Sequence, residues 1–467
     1  MKKYFKRAAA ILLLLCLVLG SVFLADRVLL IKRYDGVKPM QSLYAQEPNS
    51  IDLLLLGNSH IGTHVDTATL WKDCGISSFA LWGGVQPMWN SYHYLVEALK
   101  TQSPKAVLLE IGGISYSWEY ADEATQLKNI AGMAPSANKW EAVKASAPKD
   151  RRLDLMLGLP LYHQRYSELS REDFQYFPWS EEPKYDKGSW ALYGSGNFDL
   201  GDPGDYENKA ELPEKSLDYL MKIVELCRAE DIRLILVKTP TADLALYQPY
   251  CNSVEELANE LGLEFYNFNL MYDELGLTGE DFYPDTHMNL MGARKLSRWI
   301  GENWQEELGL EDHRGDPDYD SWAVNAARID LGYLRSITRA EDLVQELAYT
   351  GRDFILIKNG SWQDREPYTS LAESLSSLGI APEELKAQES CAWLISGGET
   401  VASGNSLSCK DVSYEIDFEG AKVLENSVES LAFKDLGLTL LPLDAESGKA
   451  VDRIDLLHRD CFQISRP

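Results

Sequence analysis

Two short polar clusters carry the residues best suited to chemistry. The first is Asn58-Ser59-His60, directly after the apolar run "IDLLLLG". The second lies in "DFYPDTHMNLMGARK", where Asp285 precedes His287 by two positions. A serine hydroxyl is a weak nucleophile until a neighbouring base takes its proton. The base works best when a carboxylate holds its other ring nitrogen. Ser59, His287 and Asp285 supply those three groups. Alternatively Ser59 is the first polar residue of a turn, and Asp285 or Asn289 only caps the helix that follows. Each cluster taken alone leaves that choice open.

The elements around the clusters narrow it. Residues 51–56, 77–82 and 105–113 read as continuous apolar strands, with a helix over 91–101. The pattern resumes with a helix over 214–232, a strand over 233–240, a helix then a strand over 251–265, and a closing helix over 291–304. Apolar strands alternating with helices predict a parallel sheet covered on both faces, an open α/β sandwich of flavodoxin-like type. All strands of such a sheet point their carboxyl ends at one edge, where ligands bind. Ser59, just after the first strand, and the His287 loop, before the last helix, then share that edge. The first amides of a helix starting at Ser59 are unpaired and suit an oxyanion.

Other polar residues fall on the same edge or near it. Asn58, His60 and Asn289 flank the two clusters, and Lys238 ends the strand "RLILVK". Lys238 could bind an anionic group or simply be solvated. Residues 115–213 form an insertion leaving the third strand, rich in aromatics from Trp118 to Tyr193. These could stack on sugar rings or an acyl chain, or form the small core of a helical cap. His163 and Arg165 in "YHQRY" are candidate contacts for a polar substrate. His60 and His64 stand at i, i+4, and with Asp285 and His287 could make four metal ligands. No His-Glu-x-x-His helix and no Cys-x-x-Cys pair is present, so neither a metal nor a cofactor is expected. Of the cysteines outside the apolar N-terminal run, Cys391 and Cys409 form the candidate disulfide pair. Isolated buried thiols are the alternative.

The whole chain sets the context. Its 45 Lys+Arg against 72 Asp+Glu give a net charge of −27, which disfavours nucleic acid and other polyanions. Behind the basic "MKKYFKR", residues Ala8 to Ala25 are uninterruptedly apolar, long enough to span a bilayer. "SVFLAD" is a poor cleavage site, so the segment reads as an uncleaved anchor. Lys2, Lys3, Lys6 and Arg7 stay cytoplasmic by the positive-inside rule, and everything beyond about residue 30 lies outside. The expected plan is a tip and transmembrane anchor over 1–30, a linker over 31–49, the α/β domain over 50–308 and an acidic linker over 309–319. A separate α+β module over 320–467 follows. In it "AVNAARIDLG", "DFILIK", "SCAWLIS", "VSYEIDF" and "LGLTLLPL" read as strands, and "RAEDLVQELAYTG" and "YTSLAESLSSLG" as helices.

Together, "GNSH" after the first strand and "PDTHMNLMGARK" before the last helix resemble the SGNH (GDSL-like) hydrolase superfamily over about residues 50–308. The resemblance implies Ser59 as nucleophile, His287 as base and Asp285 as the orienting acid. Gly83 or Gly84 in "LWGGVQP" matches the glycine whose amide joins that of Ser59 in the oxyanion hole. Two departures stand out. The spacing is Asp-x-His, similar to the extracytoplasmic O-acetyltransferase branch of alginate-acetylation and teichoic-acid D-alanylation proteins. The third-block asparagine is missing, with Gly112, Gly113 and Ser115 of "LLEIGGISYSW" in its region. Over about 320–460, the run from "ARIDLGYLRS" to "SCAWLISGGETVASG", with "LGLTLLPLDAESGKAVDRIDL", resembles the interleukin-like EMT-inducer domain. Some relatives of that domain bind glycans.

These features imply a membrane-anchored extracytoplasmic serine esterase or O-acyltransferase, acting on acyl, chiefly acetyl, esters of a cell-surface glycan or other acylated carbohydrate. The other reading is a non-catalytic surface protein that only binds a glycan or partner.

Overall fold

The computed structural model describes residues 2–337 apart from 34, 175, 178, 197 and 286. Further on it describes 343–344, 346–347, 352–360, 371–372, 375–386, 389–433, 437–444, 447–458 and 462–465. The chain forms two compact units, Met1–Ile329 and Asp330–Pro467.

The first unit is built on five strands: β1 (Leu53–Gly57), β2 (Ser78–Trp82), β3 (Ala106–Glu110), β4 (Arg233–Lys238) and β5 (Glu264–Asn267). All pairs are parallel and the order is β2-β1-β3-β4-β5. Alternate residues of each strand feed opposite cores. Leu54, Leu56, Phe79, Leu81, Val107 and Leu109 pack with the helices Met88–Ala98 and Glu214–Ala229. Leu53, Leu55, Ala80, Ala106, Leu108 and Ile235 pack with Leu70, Leu296, Ile300 and Trp304 from the other side. A strand with both faces covered has no polar side, which is why the run is continuously apolar. The β1 leucines 53 to 56 are each at most 1% exposed, and burying one stabilises by about 1.5–3 kcal/mol.

The strand order reverses at β1, so the crevice at a topological switch point opens between the carboxyl ends of β1 and β3. Gly57 permits the close packing there: a Cβ on it would lie 2.8 Å from Cβ of Glu110.

The insertion begins with three helices, Glu123–Ile130, Ala137–Ser146 and Arg152–Leu157. Its last part is extended and laces the site together. The Ala80 N–H of edge strand β2 donates to Lys187 O, and the Trp190 N–H donates to Gly62 O. The Leu290 N–H then donates to Leu192 O, and the Asn289 side-chain amide donates to Gly194 O. The insertion is thus more than a cap, because it covers the β2 edge and reaches the His287 loop.

Residues 309–319, read as a linker, and the start of the helix after them run along the first unit. Lys105 Nζ pairs with Glu311 at 2.9 Å, His313 Nε2 meets Asp52 at 3.0 Å, and the Trp322 indole donates to Ser78 O at 2.9 Å. "AVNAARIDLG" is not a strand but part of the helix Asp320–Ser336. Trp322, Ala326 and Ile329 stand at helical spacing and meet the core on one face, which overrides the short apolar alternation.

The second unit is antiparallel. Its larger sheet takes strands β6 (Phe354–Asn359), β7 (Cys391–Ser396), β8 (Glu399–Ser403), β13 (Gly437–Pro442), β14 (Ile454–His458) and β15 (Phe462–Ser465), in the order β15-β14-β13-β6-β7-β8. The smaller takes β9 (Ser406–Cys409), β10 (Val412–Asp417), β11 (Lys422–Glu425) and β12 (Val428–Ala432), in the order β12-β11-β10-β9. The expected helix over 339–351 falls largely outside the described residues, that over 368–379 does so in part, and Cys461 lies outside them. Cys391 and Cys409 are separate free thiols, not a disulfide; the Cys409 thiol is engaged by Asp353.

Candidate active site

The helix Ser59–His64 starts where β1 stops. Asn58 caps it, its side-chain oxygen accepting the His60 N–H at 3.0 Å. Ser59, the first helical residue, is half-buried and turned toward the last loop before the helix Leu290–Trp304. Ser59 Oγ lies 2.8 Å from His287 Nε2, and His287 Nδ1 lies 3.0 Å from Asp285 Oδ1. The same carboxylate oxygen accepts the His287 backbone N–H at 3.3 Å, so one acid fixes both ring and backbone. With Nδ1–H donated to Asp285, Nε2 is free to accept the Ser59 proton. The hydroxyl, base and orienting acid are within hydrogen-bond reach of one another, the geometry of a nucleophile with its general base.

Beneath this pair lies a second network. Glu110 ends β3 and Lys238 ends β4, and both side chains are fully buried, 2.7 Å apart. The three protons of the Lys238 ammonium go to Glu110 Oε1, Thr239 O and His60 Nδ1. Glu110 Oε2 accepts the Gly112 N–H at 2.8 Å. Burial would raise the Glu110 carboxyl, but the Lys238 ammonium and His60 outweigh it and hold it down to about 2. Burial, then the Lys238 charge, depresses His60 to about 4, so its ring is neutral and its proton sits on Nε2. The His60 ring stacks on His64 with centroids 4.8 Å apart and meets His287 edge-on at 5.2 Å. Burial, then His60, lowers His64 well below an ordinary histidine, while its Nδ1 bonds the Thr239 hydroxyl at 2.8 Å. Lys238 also lies 4.7 Å over the Tyr247 ring. The His287 ring therefore rests against a wall of neutral imidazole held by a buried ion pair.

The other expected site residues are placed as follows. Asn58 is buried beside Gly112, and a Cβ on Gly112 would come within 2.8 Å of Asn58 Nδ2. The amide of Asn58 thus occupies the space that any side chain at 112 would need. Gly83 and Gly84 follow β2, with Asp35 and Asn129 closed against them. The preceding Trp82 packs on the Ser59 helix so tightly that a Cβ on Gly62 would fall 2.1 Å from the indole. Lys238 is neither solvated nor open to an external anion, because Glu110, His60 and a carbonyl take all its protons. Asn289 is a cap: its oxygen accepts the Gly292 N–H, and its amide donates to Gly194 O and Glu280 O. The contacts of His163 and Arg165 lie within the insertion and at the end of the N-terminal helix, not at Ser59. His163 is exposed, and Arg165 donates to Leu29 O and Leu30 O and pairs with Asp173. Among the described residues no three of His, Cys, Asp or Glu are grouped to hold a metal ion, so the four-ligand alternative does not form.

The sequence reading does not single out Glu110, Thr239 or Tyr247. Glu110 carried a readable signal, since "AVLLE" and "RLILVK" each end an apolar strand in a charge of opposite sign at the same sheet edge.

No family model matches the chain, and no curated protein does. Among solved structures, a Bacteroides fragilis protein described as a candidate acylhydrolase is similar, at 12% identity and a TM-score of 0.28. The likeness covers 57% of this chain and 94% of that one.

Proposed function

We propose that this protein is a membrane-anchored serine acyl-transfer enzyme, an esterase or O-acyltransferase acting on acyl esters of a cell-surface carbohydrate. The observation that carries the reading is the Ser59 Oγ to His287 Nε2 approach of 2.8 Å, with Asp285 on the opposite ring nitrogen. In the first half-reaction His287 Nε2 takes the Ser59 proton as Oγ bonds to the acyl carbon. The Ser59 amide and that of Gly83 or Gly84, with Asn58 Nδ2, receive the oxyanion. The intermediate collapses, the His287 proton goes to the leaving alkoxide, and an acyl-Ser59 ester remains. Water or a sugar hydroxyl then gives its proton to His287 as it attacks the ester, and His287 returns that proton to Ser59 Oγ as the acyl–Oγ bond breaks.

Two features support a carbohydrate near the membrane. A cavity of about 510 Å³ lies beside Trp82, lined by Trp190, Tyr185, Tyr193, Arg33 and Lys38. Aromatic planes with a polar rim suit sugar rings. The helix Tyr4–Leu29 is long and apolar enough to cross a bilayer, and the basic residues before it favour a cytoplasmic N-terminus. The second unit we read as an interleukin-like accessory module for the same glycan.

A fluorophosphonate probe on the full-length protein tests the nucleophile. We expect covalent labelling that Ser59→Ala abolishes; equal labelling of the variant would refute the reading. Acyl content of the surface glycan in cells carrying Ser59→Ala then separates the two chemistries. A rise marks an esterase and a fall a transferase.

A further inference from the structure

The insertion carries exposed apolar side chains that the proposed chemistry does not use. They are Leu153 and Leu157 on one face of the helix Arg152–Leu157, then Tyr166, Phe174 and Trp179. Trp179 is 61% and Tyr166 74% exposed. Isolated surface hydrophobics are ordinary, but these share one neighbour. Four of the five stand next to a group tied to the end of the N-terminal helix.

Leu157 precedes Gly158, where a Cβ would lie 3.0 Å from Asp26 Oδ1. Tyr166 follows Arg165, which donates to Leu29 O at 2.9 Å and Leu30 O at 3.2 Å. Phe174 follows Asp173, which pairs with Arg165 at 2.6 Å. The Trp179 ring lies 6.4 Å from Phe23, and stacks on Phe177 at 4.8 Å. Phe23 belongs to the apolar run that ends at Ala25. Just past it Asp26 is buried, paired with Arg27 and bonded by the Tyr162 hydroxyl. If the run spans the bilayer, Phe23 lies about 3 Å inside its hydrocarbon boundary at 1.5 Å per residue. A tryptophan ring touching that level sits in the headgroup zone, the depth such rings prefer.

We infer that this face of the insertion is a second membrane contact. Leu153, Leu157, Tyr166, Phe174 and Trp179 seat in the outer leaflet around the emerging helix, and the lipid bilayer is the partner. This rests on the anchoring part of the proposed function. The seating keeps the catalytic edge near the bilayer, because Asp35, nine residues after Asp26, closes on Gly84. Nine residues reach at most about 32 Å. The Gly84 end of the site therefore lies within that height of the membrane.

The test uses full-length protein in phosphatidylcholine vesicles with acyl chains brominated near the headgroup end. Residues 1–70 contain no tryptophan. The anchor helix is therefore silent, and quenching by the bromines reports the insertion. We expect part of the emission to be quenched relative to unbrominated vesicles, and Trp179→Phe to remove most of that component. An unchanged quenched component in the variant overturns the seating. Alkaline extraction of the same vesicles separates the two failures. Protein that stays in the pellet with unchanged quenching refutes the seating alone, whereas protein that is washed off refutes the anchor and the seating with it.

Discussion

Replacing Lys238 by methionine removes the only cation paired with Glu110 among the described residues, at a place closed to bulk solvent. At 2.7 Å and an effective dielectric of 20 the gross attraction of the pair is about 6 kcal/mol. Surface pairs deliver 0–1 kcal/mol, but both groups are fully buried, so the regime is that of a broken internal pair, about 3–5 kcal/mol. A ceiling follows from proton uptake. With its counter-ion gone Glu110 escapes by protonating, which from an ordinary value of 4.5 costs about 3.4 kcal/mol at pH 7. At pH 5 the same step costs about 0.7 kcal/mol. Lys238→Met should therefore destabilise by up to about 3.4 kcal/mol at neutral pH and far less near pH 5. For the roughly 300 residues of the first unit beyond the apolar helix, an unfolding entropy near 2.1 cal/mol/K per residue makes this about 5–6 °C. The assay is thermal unfolding in detergent at pH 7 and pH 5 for wild type, Lys238→Met, Glu110→Gln and the double variant. The double variant should regain most of the loss, because neither charge is left unpaired. A shift below about 2 °C at pH 7, a loss independent of pH, or simple additivity of the two substitutions would refute the reasoning.

Gly112→Ala puts a methyl 2.8 Å from Asn58 Nδ2 and 2.9 Å from Glu110 Oε2 and should push the Asn58 amide aside, lowering the fluorophosphonate labelling rate by about 10²–10³. Unchanged labelling would remove Asn58 from the oxyanion site. Stability should also fall in mild acid. His60 is held at about 4 against 6.5 unfolded, so the unfolded chain binds more protons between those values. Its contribution is complete above pH 6.5 and is lost as pH falls through about 4, at up to about 1.4 kcal/mol per unit. The depressed His64 acts with the same sign, and His60→Phe should flatten the slope in a pH series of denaturation midpoints.

Much of this molecule is written locally. The leucines of β1 have no polar partner to alternate with, so only a doubly covered strand can hold them, and that dictates a parallel sheet. Gly57, Asn58 and Ser59 then mark a turn and a helix cap by their own backbone chemistry. From this the edge carrying Ser59 and His287 could be read in advance. Within the helix Asp320–Ser336 the residues 323–332 show short apolar alternation locally, whereas the core that Trp322 and Ala326 meet is built some 250 residues away. What sequence could not decide is which polar groups are consumed internally. Lys238, Asn289 and Arg165 each had a free valence on paper. Only the folded chain shows them closed by Glu110 and His60, by Gly194 and Glu280, and by Leu29, Leu30 and Asp173. A side chain's availability is set by partners outside its own element, most of them far away in sequence, and packing alone brings those within hydrogen-bond distance.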